Sequence, residues 1–282
     1  MTRLLITGGS SYLGQHLVPF AHKNFDIIYT YYQNDPLQLP QGVQVDLRNK
    51  TAVFHLVQQT KPDIILHLAG SNRGADMENV IRLGTQAVVA AAARQQVRLI
   101  HLSTDSIFSG TNAPYPENAP PSPVNAYGRA KADAEAMAQA CPNHVIVRTS
   151  LIYGLRLMDW GTNWMAQALA AGKPVTLFNN QIRNPVWVDS LCHACLELCT
   201  HTFIGIMNVA GRQVMTRAAF ALKLLDWWHI EPRDTLTIAP SQGNQWPLNC
   251  ELDLSLATAV LQTHLPGVDE ILNKKYSNAM HT

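Results

Sequence analysis

The chain has 282 residues, room for one large α/β domain or a domain with a smaller lobe. Apolar residues make up 47% of it, so a packed core rather than disorder is expected. With 21 basic and 20 acidic residues the formal charge is +1, which excludes an electrostatic case for nucleic acid or an anionic membrane surface and leaves any anionic ligand to a local site.

RLLIT (3–7) reads as a strand that runs into the turn ITGGSSYLG (6–14), with a helix following to about Lys23. That turn has the outer glycines of a phosphate-binding fingerprint, Gly8 and Gly14. With the spacing G-x-x-G-x-x-G the middle position falls on Ser11; with G-x-x-x-G-x-G the misfit moves to Tyr12. A helix N-terminus at this place offers free N–H groups and a positive dipole end to a pyrophosphate. Arg3 leads directly into this strand and turn, so no signal peptide is read.

DIIYTYY (26–32), VQVDL (43–47) and DIILHLAG (63–70) read as the next three strands. The alanine-rich helix that follows contains the longest apolar stretch, AVVAAAA (87–93), far too short to span a bilayer. VRLIHLSTD (97–105) is a fifth strand, a proline-rich loop covers 114–123, NAYGRAKADAEAMAQA reads as a helix, and HVIVRTS (144–150) is a sixth strand. Strands apolar throughout, alternating with helices, predict a Rossmann-like, doubly wound parallel sheet.

Beyond Gly154 the pattern loosens into a smaller, mostly helical lobe. It comprises a helix over about 159–171, KPVTLF, a helix from Asp189, GIMNVAG (205–211) and further helices to about Asn273. The expected division is a dinucleotide-binding domain over 1–154 and a substrate lobe over 155–282, with 205–211 free to rejoin the first sheet. YSNAMHT reads as a frayed tail.

Tyr127 and Lys131 in AYGRAK are spaced by four, so a helix puts them on one face. An ammonium beside a phenol favours the phenolate and is expected to bring the tyrosine toward use as an acid or base. STDSIFSG (103–110) closes the fifth strand, at the end of the sheet where ligands sit in doubly wound folds. Thr104 is placed there to hydrogen-bond a substrate oxygen.

Taken in order, the turn, HLSTDSIFSG, AYGRAK and RTSLIYG (148–154) resemble the extended short-chain dehydrogenase/reductases. The dTDP-4-dehydrorhamnose reductase branch is the nearest match, over about residues 1 to 275 and including NQIRNPVWVDSL (180–191). The resemblance implies NAD(P)H-dependent reduction of a nucleotide-linked 4-keto sugar, with Tyr127 as proton donor, Lys131 holding the nicotinamide ribose and Thr104 polarising the carbonyl. It implies a dinucleotide against Gly8, Gly9, Ser10, Ser11, Tyr12, Leu13 and Gly14, the pyrophosphate lying along 8–13. Tyr31, Asp46, Leu47, Ala69, Gly70, Ser103 and Arg148 complete the implied cofactor contacts, with Asp46 and Leu47 at the adenine. Asp105, Ser106, Leu151 and Asn163 are the implied substrate contacts. The extended-family spacing makes Ser11 the substituted position, at the expected cost of holding serine in a backbone conformation suited to glycine.

Departures from the branch are specific. Ser106 and Ile107 replace its tyrosine and valine, and position 106 lacks the glutamate that sugar-nucleotide dehydratases need. Leu151 stands for a tryptophan, and QWPLNCEL (245–252) lacks the arginine of the late R-P-x-x-S-R-L motif. YTYYQN, at the end of the second strand, has neither the acid that favours NAD nor an arginine, which leans slightly toward NADP(H). A sugar-nucleotide epimerase with tightly held NAD, and a non-catalytic subunit like methionine adenosyltransferase β, are the alternatives.

DSLCHACLELCTH places Cys192, Cys195 and Cys199 on one helical stripe beside His193 and His201. That stripe reads as apolar core rather than a zinc site, and no metal is expected. Five cysteines, an odd number, make no disulfide framework. His67 and His101 read as packed neutral histidines, and Trp227-Trp228 as an anchor of the lobe. A reduced, cytoplasmic compartment is expected, with no membrane or nucleic-acid partner and a homodimer left open.

Overall fold

The computed structural model describes residues 1–243 and 245–273, so the YSNAMHT tail lies outside the described residues. Its first half runs β1 (Arg3–Thr7), α1 (Tyr12–Ala21), β2 (Asp26–Tyr31), β3 (Gly42–Gln44), α2 (Lys50–Thr60), β4 (Ile64–His67), α3 (Met77–Gln95), β5 (Arg98–Thr104), α4 (Ala126–Ala138) and β6 (His144–Thr149). The second half adds β7 (Ile152–Tyr153), α5 (Trp160–Ala170), β8 (Val175–Phe178), β9 (Ile182–Arg183), β10 (Val186–Trp187) and α6 (Val188–Thr200). It closes with β11 (Gly205–Asn208), β12 (Met215–Thr216), α7 (Arg217–Trp227), β13 (Leu236–Ala239), α8 (Ser255–Val260) and α9 (Val268–Asn273).

Seven strands form one parallel sheet in the order β11-β6-β5-β4-β1-β2-β3. The doubly wound sheet that the alternating pattern predicts is therefore present. The chain leaves β1 toward β2 and β3, then returns to the other side of β1 with β4. That reversal opens a crevice beyond the carboxyl ends of β1 and β4, where such folds bind ligands.

Alternation along β1 divides the core between the two faces of the sheet. Leu4 and Ile6 pack with Leu17, Val18 and the α6 residues Leu191, Cys195 and Leu198. Leu5 points the other way, toward Val53, Leu56 and Val57 of α2 and Val88 of α3. The α2 helix is an element that the sequence pattern does not announce. Its apolar residues are few, yet Val53, Leu56 and Val57 fall on one face, and the Asn49 side chain caps it by accepting from the Ala52 amide at 3.1 Å.

After β6 the chain contributes to two places. α6 packs on α1, and β11 pairs with β6 at the edge of the main sheet. Separately, β8 and β13 pair in parallel, and with α5 and α7 they enclose a small core around Met165, Leu169, Val175, Leu177 and Leu225. Cys192, Cys195 and Cys199 are all buried on the inner stripe of α6. Among the described residues no helix is long and apolar enough to cross a membrane.

Candidate active site

The β1–α1 turn is folded around its glycines. Gly8 has φ +76, and a side chain there would meet the Ala69 backbone at 2.8 Å, so β1 and the end of β4 can approach closely. A side chain at Gly14 would meet the Gly8 and Gly9 carbonyl oxygens at 2.5 Å. The Gly9 amide donates to the Thr30 carbonyl at 2.8 Å and the Ser11 amide to the Gly8 carbonyl at 2.9 Å.

Ser11 carries none of the expected backbone cost, because its φ is −67 and its conformation is ordinary extended chain. It serves as the N-cap of α1, its Oγ accepting from the Gly14 amide at 3.1 Å. Among the described residues the amides of Ser10, Tyr12 and Leu13 donate to no protein acceptor, which leaves the donors that an anion at a helix N-terminus requires. The serine in place of glycine therefore completes the turn without closing it, and the turn fits a pyrophosphate. Tyr12 itself points away, its hydroxyl donating to the Leu157 carbonyl at 2.9 Å.

At the outer end of the crevice Tyr31 closes β2, while Asp46 and Leu47 follow β3. Asp46 accepts two contacts from the Arg48 Nε, at 2.9 and 3.1 Å, and another from its Nη2 at 2.6 Å, which holds its carboxyl below the usual range. Arg48 also donates to the Tyr32 hydroxyl at 3.1 Å and pairs with Asp76. The arginine that is absent from YTYYQN thus arrives from the loop after β3, a contact that no local motif announces.

The inner end gathers Gly70, Thr104, Tyr127 and Lys131. Gly70 has φ +138, and a side chain there would lie 3.6 Å from the Lys131 Nζ. The Lys131 Nζ donates to the Leu102 carbonyl at 2.6 Å and stands 3.5 Å from the His101 Nε2. Burial brings its pKa down to about 8, against the opposing charge of Glu135. Burial, with Asp105 adding to it, pushes the Tyr127 phenol up to about 12, against a lowering effect of the nearby Thr104 hydroxyl. The expected lowering by Lys131 is thus absent, because the ammonium is turned toward Leu102 and His101. At neutral pH Tyr127 therefore carries its proton, the state needed in a donor.

Two expected contacts are corrected by burial. Arg148 is 1% exposed, with its Nη2 2.9 Å from Glu135 and its Nη1 2.9 Å from the Glu117 carbonyl, so its guanidinium is committed to the core rather than the cofactor. Asp105 is also enclosed: its Oδ2 accepts from the Ser150 hydroxyl at 2.6 Å and faces the Arg183 Nε at 3.5 Å. A buried carboxylate needs such partners, and they leave it no face for substrate. Ser103 is buried as well, its hydroxyl unpartnered among the described residues. Ser106 is half-buried, its hydroxyl directed to Asp105 at 3.3 Å.

Beside this cluster lies a cavity of about 610 Å³. Leu151 is in its wall, with Trp160, Trp164, Phe178, Arg217 and Phe220. Asn163 lies outside it, exposed on α5 and accepting from the Gln167 side chain at 3.4 Å. Trp160 and Trp164 are nearly parallel with centroids 6.4 Å apart, and the Arg73 guanidinium lies 4.5 Å over Trp160. Arg217 donates to Gln181 at 2.8 Å, and burial, with Arg183 adding to it, lowers its pKa. Arg73 and Arg217 belong to no motif in the sequence, since long-range packing alone brings them here. No group of three potential metal ligands occurs among the described residues.

Comparison with known proteins agrees with this architecture. The family described as RmlD substrate binding domain matches residues 1–279. Methionine adenosyltransferase 2 subunit beta of Rattus norvegicus is 28% identical over 275 residues, 90% of this chain and 80% of that protein. A dTDP-4-keto-6-deoxy-D-glucose reductase of Streptomyces niveus is 29% identical over 216 residues, 73% of this chain and 72% of that protein. A hypothetical dTDP-4-dehydrorhamnose reductase from Sulfolobus tokodaii superposes with a TM-score of 0.81 at 25% identity, covering 95% of this chain and 98% of that one. The chain belongs to the RmlD substrate-binding-domain family, within the NAD(P)-dependent oxidoreductases of the short-chain dehydrogenase/reductase superfamily.

Proposed function

We propose that this protein reduces the keto group of a nucleotide-linked keto sugar, with a dTDP-4-keto-6-deoxyhexose as the first substrate to try. The observation that carries this reading is the pair Tyr127 and Lys131, one helical turn apart on α4 and packed against β5, at whose end Thr104 stands, together with a cavity of about 610 Å³ lined by Leu151, Trp160 and Arg217. Residues 1–154 would bind the dinucleotide and residues 155–282 most of the sugar nucleotide. When bound, the nicotinamide supplies the hydride.

The chain's own residues account for the rest. The Tyr127 Oη gives its proton to the carbonyl oxygen, and the Thr104 hydroxyl donates to the same oxygen as charge develops there. The Lys131 ammonium, anchored on the Leu102 carbonyl, would hold the nicotinamide ribose. Trp160 and Trp164 offer an aromatic platform to a base, and Arg217 a cation to the diphosphate. NADP(H) is the proposed reductant, because Arg48 brings a cation to the end of β2. Asp46 and Asp76 share that charge, so the preference is small.

NADPH oxidation with dTDP-4-keto-6-deoxyglucose tests the proposal. Wild type should turn over, and Tyr127→Phe should lose about 10²–10⁴-fold in rate. Absence of turnover across several nucleotide-linked keto sugars would overturn it. Similarity to methionine adenosyltransferase 2 subunit beta supports a second reading, a subunit that binds a dinucleotide without turnover. In that case dinucleotide binding persists while every substrate fails.

A further inference from the structure

Two buried histidines stand behind Lys131 on adjacent strands. His67 and His101 are register partners on β4 and β5, with rings 5.2 Å apart and tilted by 35°. Both are enclosed in the core. His67 has a partner at each nitrogen, the Thr7 hydroxyl at 2.6 Å and the Thr85 hydroxyl at 3.1 Å. His101 differs. Its Nδ1 has no partner among the described residues, and its Nε2 faces the Lys131 Nζ at 3.5 Å.

An ammonium has three protons to donate. One goes to the Leu102 carbonyl at 2.6 Å, a second is directed at the His101 Nε2, and Gly70 leaves the Nζ open toward the crevice for the third. Only a neutral His101 can accept. Burial, the Lys131 charge and then His67 all push its pKa well below the usual range, so it remains neutral. Among the described residues, the remaining ionisable groups that act on or feel Lys131 are Glu135, which favours its charge, and neutral His67.

We propose that His101 is a positioning residue for Lys131: its Nε2 accepts from the ammonium, fixing the direction of the remaining proton and stabilising the charged form. The role in turnover rests on the reductase reading above, whereas the His101–Lys131 interaction itself does not. Deleting the acceptor favours neutral Lys131, so Lys131 should titrate at lower pH. A substitute acceptor should restore its titration.

The experiment follows the Lys131 ¹³Cε resonance through a pH titration, assigned by its loss in Lys131→Arg. Wild type is compared with His101→Phe, His101→Gln and His67→Phe, each checked for cooperative unfolding. In His101→Phe the midpoint should fall by roughly one unit. In His101→Gln and His67→Phe it should stay near wild type. If sugar turnover is found, the alkaline limb of kcat/KM should move by the same amount in the same variant. A midpoint unchanged in His101→Phe, or lowered equally in His101→Gln, overturns the proposal. Should His101→Phe fail to fold, His101→Leu takes its place with the same two outcomes. Failure to reduce any sugar overturns the reductase reading alone, because the Lys131 midpoint tests His101 without substrate.

Discussion

The Tyr12 hydroxyl donates to the Leu157 carbonyl at 2.9 Å, joining the first residue of α1 to the loop that leads into α5. Gly154 lies beneath that contact, and a side chain there would overlap the Tyr12 hydroxyl and approach the Leu157 carbonyl at 3.2 Å. Burial, and then Asp159 and Asp189, raise the pKa of the phenol and keep it a donor. Tyr12→Phe should cost about 0.5–1.5 kcal/mol, the net value of one hydrogen bond. Gly154→Ala should cost about 1–3 kcal/mol through overpacking. Because the shift falls on the N-terminus of α1, Gly154→Ala should also weaken dinucleotide binding more than Tyr12→Phe does. Urea unfolding and a fluorescence titration with NADPH measure the two effects.

Arg148 and Glu135 form an ion pair with side chains 1% and 2% exposed. Glu135→Gln leaves a buried guanidinium without its countercharge and should cost about 3–5 kcal/mol. The double variant Arg148→Met/Glu135→Leu should recover most of that loss, since apolar replacement of a buried pair is often neutral. Chemical denaturation gives the stabilities. Dinucleotide affinity of the double variant should match wild type, which separates a core role for Arg148 from a role in binding.

These two pairs mark what is legible in the sequence and what is not. The order of strands and helices and the Tyr127–Lys131 spacing are local patterns, written in residues a few positions apart. Arg148 resembles a cofactor contact because it lies near the end of a strand at the binding edge of the sheet. Which face it occupies depends on Glu135 in another element. Arg48, Arg73 and Arg217 owe their positions to contacts across loops or across the whole chain, and no spacing encodes those. At Ser11 a glycine position suggests positive φ and strain, whereas the serine caps α1 with φ −67.

Arg48 reaches the Tyr32 hydroxyl and shares its charge with Asp46 and Asp76. If it meets the additional phosphate of NADP(H), Arg48→Ser should weaken NADPH by about 10-fold and leave NADH nearly unchanged. Titrations of both dinucleotides at two salt concentrations test this, since an exposed ionic contact weakens with salt. An equal loss for both would assign Arg48 to holding Asp46 rather than to reading the phosphate.

Lys131 trades stability for its place in the crevice. Its folded pKa, about 8, lies below the ordinary 10.5 because burial penalises the ammonium. Below pH 8 the lysine is charged in both the folded and unfolded chains, and the folded state bears the whole penalty. Between pH 8 and 10.5 the unfolded chain holds the extra proton, so wild-type stability from this group rises with pH. Lys131→Met removes the charge at similar volume but orphans the Leu102 carbonyl, for a net gain of about 1–3 kcal/mol at about pH 7. That gain should shrink steadily from pH 8 toward pH 10.5, while any sugar reduction is lost at every pH. Thermal unfolding of both proteins across that range reads it directly. A gain independent of pH would place the stabilisation in packing rather than in removal of the buried charge.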